Sequence, residues 1–382
     1  MKAGLVMAGA AAAVGGTVAW LGLVIAKNLT APAGGRMYDL TVRGVEKSGE
    51  QTIVVLDRTA HTGASGIYCL ILENGGWVRL SEAIVDRGIG LMGRVVEDLS
   101  GELRAGDKAS WSGIFFSGPA EAGLAATDVW VQTEVGLAPA WLIHPQAGPS
   151  TAWAIHIHGL GSPRAGTLRG VQVAAEAGLT SLVVTYRNDG EGPTVGTGRS
   201  ELGAAEMDDL RAAVRFAREN GARNVILFGW SMGAAIALQL AKDPELGAVV
   251  EGLVLESPVL DWVSTIKANC ARAGLPAWTG VLALPWLSSW PLTLFTGLYE
   301  PIALSRFNWI ARADELTVPI LILHGTHDSS SPFEVSSRLR ELRPDVVELE
   351  AFTGDHTMSW NSDPKRWEAV LHAWLYSRAT SN

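Results

Sequence analysis

The sequence predicts an α/β protein built on a doubly wound, mostly parallel β-sheet. The first observation is that short apolar runs alternate with helical patterns over residues 127–378, which is typical of parallel strands joined by crossover helices. The second is that several of these runs are continuously apolar, as strands buried on both faces are. The third is a glycine-flanked serine at the point where one run ends and a helical pattern begins.

The strands of this sheet are predicted from short runs rich in Val, Ile and Leu. A hairpin comes first, and six further strands follow at residues 152–158, 182–185, 225–228, 253–255, 319–323 and 346–349. One helix between them is predicted around Leu210 and ends at Gly221, and the last helix begins at Pro364.

The composition is that of a packed, acidic globular protein. The chain has 382 residues, of which 48% are hydrophobic and 18% charged, and its net charge is −9. An acidic chain of this kind is not expected to bind nucleic acid. The sequence contains no phosphate-binding loop, no dinucleotide fingerprint and no spacing typical of metal ligands. We therefore expect no nucleic-acid partner, no cofactor and no metal.

Residues 1–30 are predicted to be a transmembrane anchor. Residues 4–26 carry no charge, and Lys2 and Lys27 flank them. A run of this length can cross a bilayer as a helix, and it is longer than the apolar core of an ordinary signal peptide. Cleavage at the small residues 31–33 is the alternative. Positive charges on the two sides nearly balance, which leaves the orientation open, with an extracytoplasmic catalytic domain preferred.

Residues 37–126 are predicted to form a small β-rich accessory region. Strand-like runs at residues 52–56 and 67–72 alternate with glycine-containing turns. No side chains in this region have the spacing of a catalytic site. We therefore predict no chemical role for it, and binding of a partner stays open.

A serine nucleophile is predicted at Ser231. The pentapeptide Gly229-Trp230-Ser231-Met232-Gly233 lies between the strand run 225–228 and a helical pattern rich in Ala and Leu. A sharp strand-to-helix turn needs glycine at these two positions, because side chains there would collide with the strand and the helix. The helix that follows directs its N-terminal amides towards the group that the serine attacks.

The hydroxyl of Ser231 needs a base, and the base needs a carboxylate that orients it. Asp328 follows the next-to-last predicted strand, and His356 follows the last one. Because the carboxyl ends of parallel strands meet at one edge of the sheet, both residues are expected beside Ser231.

The order Ser231, Asp328, His356, with the motifs HG, GWSMG, HGTHD and GDH around it, resembles the α/β-hydrolase superfamily. Within it the chain is most similar to the serine-aminopeptidase, lysophospholipase and Bem46-like hydrolases. The resemblance covers residues 127–378. It implies the α/β-hydrolase fold, with Ser231 as nucleophile, Asp328 as orienting acid and His356 as base. Some members of the superfamily carry the acid one strand earlier, which makes Glu256 and Asp261 the alternative acids.

The resemblance also implies an oxyanion hole formed by the backbone amides of Leu160 and Met232. Two such amides stabilise an alkoxide that exists only in the transition state. His158 precedes Leu160 and is interpreted as structural. Trp230, beside the nucleophile, and Tyr186, at another strand end, are predicted substrate contacts, although an ordinary connecting loop is the alternative for Tyr186.

Residues 262–313 are predicted to form a helical lid over the site. The stretch 274–299 is uncharged and rich in tryptophan. Its length suits a second transmembrane helix, but two prolines interrupt it, and a crossing would separate Ser231 from its partners. Trp286 and Trp290 are predicted to contact the substrate from this lid. The alternative is that they only pack on the sheet.

The predicted function is therefore a membrane-anchored serine hydrolase that cleaves carboxylic esters, acyl or lipid-like, through an acyl-enzyme on Ser231. A peptidase or amidase with the same triad, an acyltransferase and a catalytically inactive binding scaffold are the alternatives. The expected partners are an ester substrate and the membrane, and no oligomeric state is predicted.

Overall fold

The computed structural model describes the backbone of residues 2–379 and the side chains of residues 15–378. Within that range the chain forms nine α-helices and two β-sheets, one of seven strands and one of eight. The helices are α1 (Lys2–Leu29), α2 (Leu168–Glu176), α3 (Glu206–Glu219), α4 (Met232–Leu240), α5 (Trp262–Arg272), α6 (Leu284–Ser288), α7 (Phe333–Leu342), α8 (Ser359–Ser362) and α9 (Pro364–Ala379).

The smaller sheet occupies the predicted accessory region. Its strands are β1 (Leu40–Thr41), β2 (Gly44–Ser48), β3 (Gln51–Asp57), β4 (Tyr68–Leu72), β5 (Trp77–Asp86), β6 (Leu91–Ser100) and β7 (Lys108–Ser112). They pair in the order β1-β7-β4-β5-β6-β3-β2, and every pairing is antiparallel. Leu70, Leu72, Val78 and Leu80 are buried in one core. Because every second residue of a strand points to the same face, the sheet has a core of its own.

The larger sheet is doubly wound and mostly parallel, as predicted. Its strands are β8 (Ala126–Thr133), β9 (Gly136–Ile143), β10 (Ala152–Ile157), β11 (Thr180–Val184), β12 (Asn224–Trp230), β13 (Val250–Glu256), β14 (Ile320–Gly325) and β15 (Val347–Phe352). The order is β15-β14-β13-β12-β10-β11-β9-β8. The pairings from β15 to β11 are parallel, and the β8–β9 hairpin joins antiparallel to β11.

Helices cover both faces of the larger sheet, which explains its continuously apolar strands. On β12, Val225 and Leu227 belong to the core that α3 and α4 cover. Ile226 and Phe228 of the same strand belong to a second core, which contains Trp367 and other residues of α9. The carboxyl ends of the parallel strands consequently form one edge of a rigid platform.

The prediction that the N-terminal helix spans a membrane is wrong. No helix in the described part of the chain is long and apolar enough to span a membrane. The side chains of residues 1–14, on which half of that prediction falls, lie outside the described ones. The end of α1 packs on protein instead: Ala26 is fully buried, and Gly22 lies so close to the carbonyl oxygen of Leu282 that a Cβ would collide with it. Arg199 Nη1 also donates to the carbonyl oxygen of Lys27 at 2.7 Å.

The insertion at residues 262–313 is broken into short helical segments. It contains α5, α6 and several 3-10 turns, including Ala277–Ala283 and Leu292–Thr296. Pro285 lies in the first turn of α6, where a proline is tolerated. The insertion packs against α1, and several of its large apolar side chains are exposed, among them Trp278, Trp290 and Phe295.

Candidate active site

Ser231 occupies the turn between β12 and α4. Its φ of +53° lies in the left-handed region, which is strained for a residue with a side chain. A Cβ at Gly233 would collide with the carbonyl oxygen of Ile157, and a Cβ at Gly229 would lie 2.5 Å from Ala234 Cα. Only glycine fits at these two positions, and the turn therefore places the serine hydroxyl at the edge of the sheet.

The structure brings together the three residues of the predicted triad. His356 Nε2 lies 2.9 Å from Ser231 Oγ, and His356 Nδ1 lies 2.8 Å from Asp328 Oδ2. Asp328 follows β14 and His356 follows β15, so both side chains come from neighbouring strand ends. Both distances are within hydrogen-bond reach, as proton transfer from the hydroxyl to the imidazole requires.

Asp328 is held as an ionised carboxylate. Its side chain is fully buried, and Oδ1 accepts hydrogen bonds from the amides of Ser330 and Ser331 at 2.9 and 2.7 Å. Burial by itself raises the pKa of Asp328, but hydrogen bonds with His324 and His356 outweigh it and hold that pKa below its usual range. A buried carboxylate favours the tautomer of His356 that carries its proton on Nδ1.

His324 is a second histidine on this carboxylate. Its Nε2 lies 3.1 Å from Asp328 Oδ2, and its Nδ1 lies 2.8 Å from Ser336 Oγ. The HGTHD motif contains His324, but the pattern alone does not show that its ring is buried against the acid. Its contacts indicate that it positions Asp328.

The two alternative acids have other partners. Glu256 accepts hydrogen bonds from the Ser359 amide at 3.1 Å and from Trp367 Nε1 at 3.0 Å. Asp261 caps the first turn of α5. Neither forms a hydrogen bond with His356 among the described contacts, so the geometry favours Asp328.

The predicted oxyanion donors lie on either side of the nucleophile. Met232 is the first residue of α4, where a backbone amide has no acceptor within the helix. The Gly159–Leu160 segment packs against the elbow, because a Cβ at Gly159 would lie 3.0 Å from Ser231 Cβ. The placement is compatible with an oxyanion hole, and the role of the two amides stays a prediction.

A buried cluster of side chains packs against the Gly159–Leu160 segment. His158 Nε2 lies 3.0 Å from Asp189 Oδ2, and both side chains are 1% exposed. The ring of Tyr186 stacks on His158 with a centroid distance of 4.3 Å, and its hydroxyl donates to the carbonyl oxygen of His158 at 3.0 Å. Tyr186 was predicted to contact the substrate. It contacts the Gly159–Leu160 segment instead and does not line the cavity beside Ser231.

Replacing Asp189 by asparagine is expected to lower the free energy of unfolding by about 3 kcal/mol. Besides His158, the carboxylate accepts hydrogen bonds from the amides of Tyr186, Glu191 and Gly192, and an amide side chain would turn its own donors towards some of them. Urea unfolding of the variant, with the exposed Asp128→Asn as control, measures the difference.

The same experiment has a pH dependence with a defined sign. Burial raises the pKa of Asp189, but hydrogen bonds from His158 and from backbone amides lower it below its usual range. A carboxyl group with a lowered pKa stabilises the folded state above its unfolded pKa of about 3.9 and loses that effect as the pH falls. The difference in the free energy of unfolding between wild type and Asp189→Asn should therefore become smaller below about pH 4. A difference that does not change with pH would contradict this account.

Ser231 lines a small cavity of about 200 Å³. It is lined by Trp111, Ser112, Gly113, Ile114, His158, Gly159, Leu160, Ser162, Gly166, Thr167, Arg169, Trp230, Ser231, His356 and Thr357. Trp230 is thus in the predicted position. Trp286 and Trp290 are not: Trp286 packs edge-to-face on Phe295, and Trp290 is 62% exposed.

No residue of the insertion lines this cavity, all of the insertion being described. The insertion packs against α1, and its role as a lid over Ser231 stays a prediction. One part of the cavity wall comes from residues 111–114, at and just after the end of the smaller sheet. The sequence predicted no chemical role for these residues.

Arg169, on α2, is a further residue that the sequence pattern does not reveal. It is 5% exposed and donates hydrogen bonds to the carbonyl oxygens of Gly113 at 3.1 Å and Thr357 at 2.6 Å, and to Asn361 Oδ1 at 2.8 Å. Burial lowers the pKa of Arg169.

In the described part of the chain, no group of His, Cys, Asp or Glu is arranged to hold a metal ion.

Two family models match the chain. The model of the alpha/beta hydrolase family matches residues 142–370, which is more than half of the chain. The model of a domain of unknown function, DUF8805, matches residues 41–112. The human protein ABHD12B is 27% identical over 198 residues, which are 49% of this chain and 49% of ABHD12B. The chain thus spans about half the length of this curated relative.

Solved structures resemble the larger sheet and its helices. The Pyrococcus furiosus esterase Pf2001 superposes with a TM-score of 0.53 at 19% identity, covering 69% of this chain and 96% of that one. A second crystal form of the same esterase gives a TM-score of 0.52 at 20% identity, with coverages of 69% and 94%. At these identities the likeness shows the fold alone. The fold and the family match confirm the resemblance drawn from the motifs: the chain belongs to the alpha/beta hydrolase family.

Proposed function

We propose that the protein hydrolyses carboxylic esters through an acyl-enzyme on Ser231. The observation that carries the proposal is the unbroken line of contacts from Ser231 Oγ to His356 and on to Asp328, at 2.9 and 2.8 Å, beside an open cavity. The solved structure of similar fold, Pf2001, is described as an esterase, which agrees with this reaction.

The reaction follows from the roles that these positions allow. His356 accepts the proton of Ser231 as Oγ attacks the ester carbonyl, and Asp328 stabilises the imidazolium that forms. The amides of Leu160 and Met232 stabilise the alkoxide of the tetrahedral intermediate. His356 then gives its proton to the departing alcohol. In the second half-reaction it takes a proton from the water that attacks the acyl carbonyl, and it returns that proton to Ser231 Oγ as the bond to the acyl group breaks and the acid leaves.

The cavity lining favours an ester over a peptide with a free amino terminus. Among the described residues, no aspartate or glutamate lines the cavity, whereas the guanidinium-bearing Arg169 does. A protonated amine would therefore meet no carboxylate there. The volume of about 200 Å³ is below the range of roughly 300–1,000 Å³ that is usual for sites of drug-sized ligands, which favours a small substrate group over the long lipid-like chain that the sequence suggested.

The test combines covalent labelling with a matched pair of substrates. We expect a fluorophosphonate probe to label the folded protein, and we expect para-nitrophenyl butyrate to be hydrolysed while the matching butyryl anilide is not. Comparable hydrolysis of the anilide would make the protein an amidase. A folded protein that neither takes the label nor hydrolyses either substrate would point to a binding scaffold.

A further inference from the structure

We infer that the smaller sheet is a component of the substrate site, and that Ile114, at its end, determines how large an ester group can reach Ser231. The inference rests on the proposed ester hydrolysis. It assigns a role to the region around the DUF8805 match, which ends at Ser112.

The end of β7 forms one wall of the Ser231 cavity. Residues 111–114 line that cavity together with Ser231 and His356. The turn after β7 is held by a hydrogen bond from the Ile114 amide to Ser112 Oγ at 3.1 Å. Gly113 packs directly on the segment that follows His356, because a Cβ there would lie 3.1 Å from Met358 Cγ. The wall therefore touches the loop that carries the base.

A buried network fixes the wall relative to the triad. Asn361, fully buried on α8, donates from Nδ2 to the carbonyl oxygens of Gly113 at 3.0 Å and Ile67 at 2.9 Å. The Ile67 amide donates in return to the Asn361 carbonyl oxygen at 2.9 Å. Arg169 adds its bonds to Gly113 and to Thr357, the residue after His356. Buried polar groups that are hydrogen-bonded to one another hold a single arrangement. The wall formed by residues 111–114 therefore keeps a fixed position relative to His356.

Ile114 lies between the Ser231 cavity and a second one. It lines both, and the second cavity, of about 290 Å³, lies where the two sheets meet. The apolar side chains that line the second cavity with Ile114 include Ile71, Trp77, Phe115 and Trp141. On the side of the larger domain, a Cβ at Gly166 would lie 3.7 Å from Ile114 Cδ1.

A half-buried side chain that lines two cavities is the partition between them. Shortening Ile114 would join the Ser231 cavity to a larger and mostly apolar space, whose lining also includes Arg36, Glu121 and Glu191. Because burial of apolar groups is favourable in proportion to the area removed from water, a longer aliphatic chain would then gain contacts that the wild-type partition denies it. With Ile114 in place, the ester group on this side has to be short.

The experiment changes the partition in both directions. Ile114→Ala opens it, Ile114→Trp closes it further, and Ile89→Ala is the matched control, because Ile89 is fully exposed on the same small domain. Each protein is assayed with two series of esters, one with acyl groups from acetate to octanoate and one with alcohols from ethyl to octyl. The two series together cover either orientation of the ester.

In one of the two series, Ile114→Ala should raise kcat/KM for the eight-carbon ester relative to the four-carbon ester about tenfold or more, since a few methylenes in an apolar pocket have an effect of this size. In the same series, Ile114→Trp should lower kcat/KM for the four-carbon ester relative to the two-carbon ester, and Ile89→Ala should leave both ratios unchanged. Unchanged ratios in both series for a folded Ile114→Ala would overturn the inference. A wild type that hydrolyses no ester would instead reject the proposed function.

Discussion

Replacing Ser231 by alanine is expected to lower kcat for ester hydrolysis on the order of 10⁶-fold, down to the rate that binding and the oxyanion amides provide without a nucleophile. The change removes the oxygen that lies 2.9 Å from His356 Nε2, so no acyl-enzyme can form. Alanine keeps the Cβ, and the strained turn with φ of +53° is therefore retained. The variant should fold and still bind substrate.

Stopped and continuous assays with para-nitrophenyl butyrate measure this loss, and the fluorophosphonate label reports the nucleophile itself. Ser288→Ala is the control, because Ser288 is an exposed serine of the insertion. It should keep full activity and full labelling. A Ser231→Ala protein that retains more than about a hundredth of the rate would place the nucleophile elsewhere, since a residual rate of that size exceeds what such sites retain.

Replacing Asp328 by asparagine is expected to lower kcat by about 10⁴-fold. The buried carboxylate accepts from His356 Nδ1 at 2.8 Å and stabilises the positive charge that the ring acquires. An amide side chain has no negative charge, and its NH₂ group favours the wrong tautomer of the ring. Binding of substrate should be less affected, so KM is expected to change far less than kcat.

Two neighbouring carboxylates are the controls for this prediction. Asp355 precedes the base and accepts hydrogen bonds from the amides of His356 at 2.7 Å and Ser329 at 2.8 Å, so Asp355→Asn should disturb the loop and cost much less activity. Glu256→Gln removes the charge of the alternative acid and should also cost less. If either control lost as much activity as Asp328→Asn, the assignment of the acid would be wrong.

The part of the fold that could be predicted from the sequence is the part that local patterns encode. The apolar run 319–323 predicts a strand, and β14 is observed at Ile320–Gly325. The proline at residue 364 begins α9 as expected. The same holds for the positions of the triad, because the nucleophile, the acid and the base each directly follow a strand of one parallel sheet. Their roles in catalysis await the measurements above.

The helix α1 shows where a local pattern is ambiguous. An apolar helix reads the same in sequence whether lipid or protein covers it, since the hydrophobic effect is not directional. Only the structure shows that Gly22 lies against Leu282 of the insertion and that Ala26 is buried. The packing of the insertion against α1 could not be predicted for the same reason, because an apolar segment does not specify the surface on which it packs.

By itself, then, the sequence determined the doubly wound sheet, the strained turn at Ser231 and the order of the three residues around it. Only the tertiary structure decided which surfaces enclose the substrate. Arg169 and Asn361 bond to each other across 192 positions of the chain, and Gly113 meets Asn361 across 248. Contacts between residues so far apart have no periodicity or spacing that a sequence could show. The first depends on how α2 and α8 pack within the larger domain, and the second on how the end of the smaller sheet packs against it.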